Sequence, residues 1–255
     1  MTWFRTPPVS SRRPVRLLSW FAVLPLLAVA VAGAAPGAAT DDAPATILPG
    51  FGMSWSLDFA SRYSFQGVNY SNNDPVMQPS LSIGYGGVSG SFWFNHDLHR
   101  QRSDEYDFSL EYSHDVGRFG LAGGYTALRY PHREGWSPSA EFYVDCDIDA
   151  ALSPSLSVHD DIDAGRGVYL TAGASHDLFA KPVPLSLGAD LFYQEHYYDT
   201  TGFPALQASL GTTFALWKIR LSPAVSRFFT WANGSFRGAN AIAPAWVTTL
   251  SVGGD

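Results

Sequence analysis

From residue 50 onward, large apolar side chains recur at every second position. Tyr106, Phe108, Leu110 and Tyr112 alternate with Asp107, Ser109, Glu111 and Ser113. A helix cannot sort those eight residues onto two faces, whereas an extended strand does so by construction. The alternation runs from Trp55, Leu57 and Phe59 near the start to Trp246, Thr248, Leu250 and Val252 near the end, giving about twelve segments in all. Long polar connections (66–74, 96–103, 129–137, 160–165, 195–202 and 230–243) take turns with short ones near Gly86-Gly87, 114–117, 147–151, 177–182 and Leu216-Trp217. That pattern predicts an all-β fold, a transmembrane antiparallel up-and-down β-barrel of about twelve strands over residues 51–255. Long loops would then face outward, with short turns and both termini in the periplasm. A soluble sandwich is the competing reading, but its strands run about 5–6 residues against the ~9–11 that span a membrane, and several runs here reach the longer figure. Tyr85, Tyr112, Tyr125, Tyr193, Trp217 and Trp246 fall near segment ends, as interfacial girdles do.

Composition sharpens this picture. Charged residues are only 15% of the chain and aromatics another 15%, while the mean hydropathy is −0.03. A helical membrane protein would be far more apolar, whereas a barrel exposes half of each strand to water. The start of the chain differs from the rest: Arg5, Arg12, Arg13 and Arg16 precede an apolar run over 17–33, and Ala32-Gly33-Ala34 follows as a small-residue cleavage site. Residues 1–34 are therefore expected to be a removable secretion signal and 35–50 a linker. The alternative, an uncleaved helical anchor, would have to span with only about 17 residues interrupted by Pro25. Without the signal, 12 Lys and Arg face 23 Asp and Glu, a net charge of −11. Such a chain repels phosphate backbones, so no nucleic-acid partner is expected. The lone Cys146 excludes a disulfide framework and a cysteine-rich metal site.

If the apolar set faces lipid, the inward set includes Asp58, Asp107, Glu111, Glu141, Asp145, Asp190, Lys218 and Arg220 as lumen-lining groups, with Trp93, Tyr143 and Phe192 placed to constrict the path. Carboxylates outnumber bases there, which predicts a weak preference for cations. Ser113-His114-Asp115 and Ser175-His176-Asp177 invite a catalytic reading, but consecutive strand residues point to opposite faces and a triad needs members from converging segments. They are expected to be turn residues, and no enzymatic activity, cofactor or metal is expected. The acidic run Asp160-Asp161-Ile162-Asp163-Ala164-Gly165 lacks the distal bidentate Glu of a full calcium loop and reads as a solvated loop. His96, His99, His132, His159 and His196 fall in or beside the long connections, too scattered for a metal site, and read as solvated.

The stretch Ala60-Ser61-Arg62-Tyr63-Ser64-Phe65-Gln66-Gly67-Val68-Asn69-Tyr70-Ser71-Asn72-Asn73-Asp74-Pro75-Val76-Met77-Gln78-Pro79 resembles the first hairpin of the TorF-family porins, a group of exported bacterial proteins. In that family a serine and an aromatic lead into an arginine-glycine pair and a polar run ending in Asp-Pro; here Gln66 stands at the arginine position. Gly-Gly-Tyr at 123–125 and the Ser-His-Asp tripeptides fit its general look. The resemblance implies a small outer-membrane porin without catalytic residues. It departs at the end, Val252-Gly253-Gly254-Asp255, where such barrels commonly carry an aromatic insertion signal; either that signal lies within Trp246 to Val252 or the end is atypical. The expectation is a cell outer-membrane porin passively admitting small hydrophilic solutes, with outer-membrane lipid as its surroundings and its oligomeric state left open. The alternative is a non-conducting barrel acting as an adhesin, surface-binding or structural protein.

Overall fold

The computed structural model describes residues 50–179, 183–231 and 245–254. The expected signal, nearly all of the linker and most of the 230–243 connection lie outside the described residues. Among the described residues there are no helices, and twelve principal strands follow one another: β1 (Phe51–Ala60), β2 (Val76–Tyr85), β3 (Val88–Asp97), β4 (Arg102–Val116), β5 (Phe119–Arg129), β6 (Ser139–Ile148), β7 (Ser155–Asp161), β8 (Gly167–Phe179), β9 (Leu185–Tyr197), β10 (Ala205–Gly211), β11 (Ile219–Thr230) and β12 (Ala245–Gly254). Each pairs antiparallel with its neighbour in the chain, and β12 pairs back onto β1, from Trp55 opposite Gly254 to Ala60 opposite Thr249. The sheet is thereby a closed barrel. Closure gives every strand a partner on both sides, the only way a sheet can lie in hydrocarbon without leaving main-chain groups unpaired.

Two prolines interrupt the ladders without shifting register. Between β2 and β3 pairing passes from Met77–His96 to Ser80–Trp93, skipping Pro79, which has no N–H to give. Between β10 and β11 it passes from Gly211–Ala224 to Phe214–Leu221, with Pro223 in the gap. There Pro223 still accepts from the Thr212 N–H at 3.1 Å, so Phe214–Leu216 continues β10 up to the turn. Tight turns close the opposite end: Gly86 and Gly87 both have positive φ, +59° and +87°, the combination that a two-residue hairpin turn with the correct twist demands.

The two faces sort as the alternation predicts. Phe108, Leu110 and Tyr112 are 52%, 60% and 56% exposed on the outer surface. Their alternates turn inward, Ser109 Oγ lying 2.8 Å from Thr126 Oγ1 across the β4–β5 pair. No sealed apolar core lies beneath Phe108 and its outward neighbours, which removes the sandwich reading. A strand of ten residues such as β1 is about 33 Å long, or about 25 Å along the axis at the tilt usual in such barrels. That matches the height of a hydrocarbon-facing band. Tyr85, Tyr112 and Trp217 mark its turn end on the outside, and Tyr193 and Trp246 its loop end.

Inside, the barrel divides into two halves. Toward the long loops the inward residues are large or charged and mostly buried: Asp58, Asn95, Glu105, Glu141, Tyr169, Phe192, Gln194, Gln207 and Phe228. Toward the short turns most are small and half-buried, including Ser54, Ser56, Ser82, Ser91, Ala122, Ser175, Ser186, Ser209 and Ser222, with the charged Asp115, Asp147, Asp177 and Arg220 among them near the rim. The interior is a cup, open to the turns and filled toward the loops. Gly124 shows how tight the filled part is, because a Cβ there would lie 2.5 Å from the Tyr143 hydroxyl and 2.6 Å from the Leu110 carbonyl oxygen. Gly124→Ala must push away the Tyr143 ring and is expected to cost about 1–3 kcal/mol, as overpacking does. The midpoint of urea unfolding, read by heat-modifiable gel migration, checks this; an unchanged midpoint would mean that the ring is not packed against the glycine.

Candidate functional site: the barrel interior and its filled mouth

The first long connection does not stand away from the barrel. Residues 64–69 form a short ladder, Ser64 opposite Asn69 and Phe65 opposite Val68, whose tip is Gln66-Gly67 at φ +51° and +83°. Ser71 holds the base of this loop, accepting from the Tyr63 N–H at 3.0 Å and donating to the Asp74 carbonyl at 2.7 Å. The tip inserts into the mouth. Gln66 is buried, and its Oε1 accepts from Gln194 Nε2 of β9 at 2.6 Å. Phe65 meets Tyr169 edge to face at 5.6 Å, and Tyr63 lies 5.8 Å from Trp93. Tyr63 also packs on an apolar cluster of Ala60, Val76, Phe192, Ala205, Phe228 and Val247, which fills the neighbouring sector.

Arg133, from the connection between β5 and β6, pins this arrangement. Its Nε lies 3.3 Å from Asp104 and its Nη2 3.2 Å from Glu105, both on β4. Its guanidinium also sits 4.9–5.9 Å from the ring centroids of Tyr63, Tyr70, Tyr130 and Trp136. One planar cation thus ties the first loop, its own loop and the barrel wall together, a role suited to the fork and flat faces of a guanidinium. Burial alone would pull its pKa down, but the charges of Glu105 and Asp104 more than offset this and the pKa is raised. Burial and the nearby Glu105 charge push the Tyr63 and Tyr70 hydroxyls up, so both stay neutral donors. Tyr198, from the β9–β10 connection, is pushed up to about 12 by burial and the Asp161 charge.

The expected lumen-lining carboxylates all lie on the inward face. Asp58 and Asp190 are buried, and neither oxygen of Asp190 has a hydrogen-bond partner among the described residues. Asp107 stands opposite Trp93; Glu111 accepts from the Tyr143 hydroxyl at 2.8 Å; Glu141 accepts from the Tyr169 hydroxyl at 3.0 Å; Asp145 accepts from the Ser157 hydroxyl at 2.5 Å. Arg220 is inward, opposite Gly253. Lys218 is not on the wall. It occupies the exposed turn after Trp217, whose φ of +59° breaks the strand parity that pointed Lys218 inward, and its ammonium lies 5.8 Å from the Trp217 ring. Of the three expected constricting side chains, Tyr143 and Phe192 are buried in the filled half and Trp93 lies under Tyr63.

Other expectations need correction. His159 is not a solvated loop residue but an inward residue of β7, half-buried against Glu141. Ser113-His114-Asp115 and Ser175-His176-Asp177 sit in the ends of β4 and β8 rather than in turns, and their groups are used locally: Ser113 Oγ reaches the Gly87 carbonyl, and Asp177 accepts from Ser186 at 2.5 Å. The acidic connection after β7 is folded around Asp161, which accepts from the Ser139 hydroxyl at 2.7 Å and from the N–H groups of Asp163 and Gly165 at 3.0 and 2.9 Å. Arg133 and the pairing of Ser157 with His159 went unsingled in the sequence. Arg133 carries no local signal, since nothing along the chain shows that residues 104 and 133 meet. Ser157 and His159 do share strand parity, and extending the period of β7 by one residue would have turned His159 inward.

No family model and no curated relative matches the chain. Among solved structures that match, CdiB from Acinetobacter baumannii aligns with a TM-score of 0.43 at 10% identity, over 81% of this chain and 60% of that one. This chain therefore spans less than two thirds of that protein's length, and the architecture stands on the strand pairing described above.

Proposed function

We propose that the chain is an exported outer-membrane barrel of porin type, resembling the TorF-family porins. It would pass small hydrophilic and preferentially cationic solutes when the first loop leaves the mouth, and restrict passage while Arg133 holds that loop in place. The observation that carries this reading is the sorting of the wall: large apolar groups outside in a band about 25 Å tall, and carboxylates with small hydroxyls inside. Acidic walls of low dielectric concentrate cations. The filled mouth favours the second reading, a non-conducting barrel with a surface-binding or structural role. Two measurements test the proposal. Membrane fractionation should place the protein, with heat-modifiable migration, in the outer membrane. In planar bilayers the wild type should show small, infrequent openings whose reversal potential under a salt gradient has the sign of cation preference; anion preference would reject the selectivity. No current, even with the loop released, would leave the non-conducting reading.

A further inference from the structure

At the floor of the cup, where the small-residue half meets the filled half, three side chains from two neighbouring strands converge. Ser157 and His159 are two apart on β7 and so share the inward face; Glu141 comes from β6. Ser157 Oγ lies 2.9 Å from His159 Nε2, and His159 Nδ1 lies 3.0 Å from Glu141 Oε1. The imidazole is held between two rings, Tyr143 at 5.2 Å with planes 18° apart and Tyr169 at 4.4 Å with planes 11° apart. Glu141 is itself oriented by the Tyr169 hydroxyl, which donates to both of its oxygens at 3.0 Å. A hydroxyl within reach of a base, and that base oriented by a carboxylate, is the geometry of an activated nucleophile. Thr171 stands directly opposite Ser157 in register, and its hydroxyl makes no hydrogen bond among the described residues, leaving a donor beside the nucleophile. Small residues lie next toward the turns, Ser155 and Ser175 half-buried and Gly173 buried between them, and Ser157 and His159 are both partly accessible.

We propose that Ser157, His159 and Glu141 form a serine-hydrolase triad that cleaves small water-soluble carboxylic esters entering the cup from the turn end. Ser157 Oγ attacks the ester carbonyl carbon as its proton passes to His159 Nε2, and the oxyanion takes the Thr171 hydroxyl as donor. The carbon–oxygen bond to the leaving group then breaks, and the departing alkoxide takes the proton from Nε2. Water from the lumen attacks the acyl-serine, giving its proton to Nε2 and thence to Ser157, so that ester and water become acid and alcohol. Glu141 is a positioning residue, fixing the tautomer with the proton on Nδ1. Asp145 is a competitor, because Ser157 Oγ also lies 2.5 Å from its Oδ1. The hydroxyl must turn from Asp145 to His159 for the transfer.

Reaction of the membrane-extracted full chain with a fluorophosphonate probe, followed by peptide mass mapping, tests the assignment. Ser157 should carry the label, Ser157→Ala should carry none, and His159→Gln should label roughly 100-fold more slowly or less, the usual weight of a general base. Asp145→Asn, which replaces the competing carboxylate by a weaker neutral acceptor, should label at least as fast as the wild type. Heat-modifiable migration of each variant shows that the barrel has folded. An unlabelled wild type, label that persists in Ser157→Ala, an unchanged rate in His159→Gln, or loss of label in Asp145→Asn would each overturn the triad. Conductance plays no part in this readout, so the pore proposal and the triad stand or fall separately.

Discussion

Arg133→Ala is expected to raise the open-channel current several-fold and to make the first loop susceptible to protease. The guanidinium lies against Asp104 and Glu105 with its side chain only 8% exposed, and four aromatic rings surround it. Removing it strands two buried carboxylates, and breaking such a pair from one side costs about 3–5 kcal/mol. The cheapest relief is for water to enter the mouth, which means displacing Tyr63, Tyr70 and Gln66 from the contacts that hold the loop. Arg133→Lys keeps the charge but loses the fork and the flat faces, so it should lie between wild type and alanine. Planar-bilayer recordings and limited proteolysis before residue 76 read both effects. Unchanged current together with an unchanged cleavage pattern in Arg133→Ala would show that the latch is not what holds the loop.

Leu110→Arg separates a lipid-facing wall from a solvent-facing one. Leu110 lies near the middle of β4 and is 60% exposed on the outer face. On a protein surface in water, such a change is nearly neutral, usually within about 0.5 kcal/mol. At the middle of a bilayer an outward arginine on a barrel costs about 2–4 kcal/mol. Urea titrations of folding into lipid vesicles should therefore show a large loss for Leu110→Arg and a small one for the neighbouring inward change Ser109→Asn. Equal and small effects at the two positions would remove hydrocarbon from the outer face, and with it the membrane reading.

The second expectation starts from the alternation visible along the chain, and the interior shows where that alternation stops being informative. Parity assigns Glu141, Tyr143 and Asp145 to the lumen because their strand is regular. It mislays Lys218, because a positive φ at Trp217 places the turn on Trp217-Lys218 and the next strand begins only at Ile219. It undervalues His159, whose neighbours Asp160 and Asp161 look like the beginning of a polar loop although β7 runs to Asp161. Parity also says only that a residue points inward. The Tyr143–Glu111 bond spans 32 residues and the Gln194–Gln66 bond 128, distances along the chain over which no local pattern reports.

By itself, then, the order of residues determined the strand period, the number of strands and which face of each strand is apolar, but not every connection, since only four residues join Asp97 to Arg102 and five join Asp161 to Gly167 where the pattern predicts long loops. Those properties depend on side chains one to four positions apart, through pleat geometry and turn chemistry. Only the tertiary structure decided that the first loop folds inward, that Arg133 meets Asp104 and Glu105, and that Ser157, His159 and Glu141 come together. Those contacts depend on closure of the barrel, because closing the sheet sets the register of all strands at once and brings distant residues to the same height on a shared inner wall.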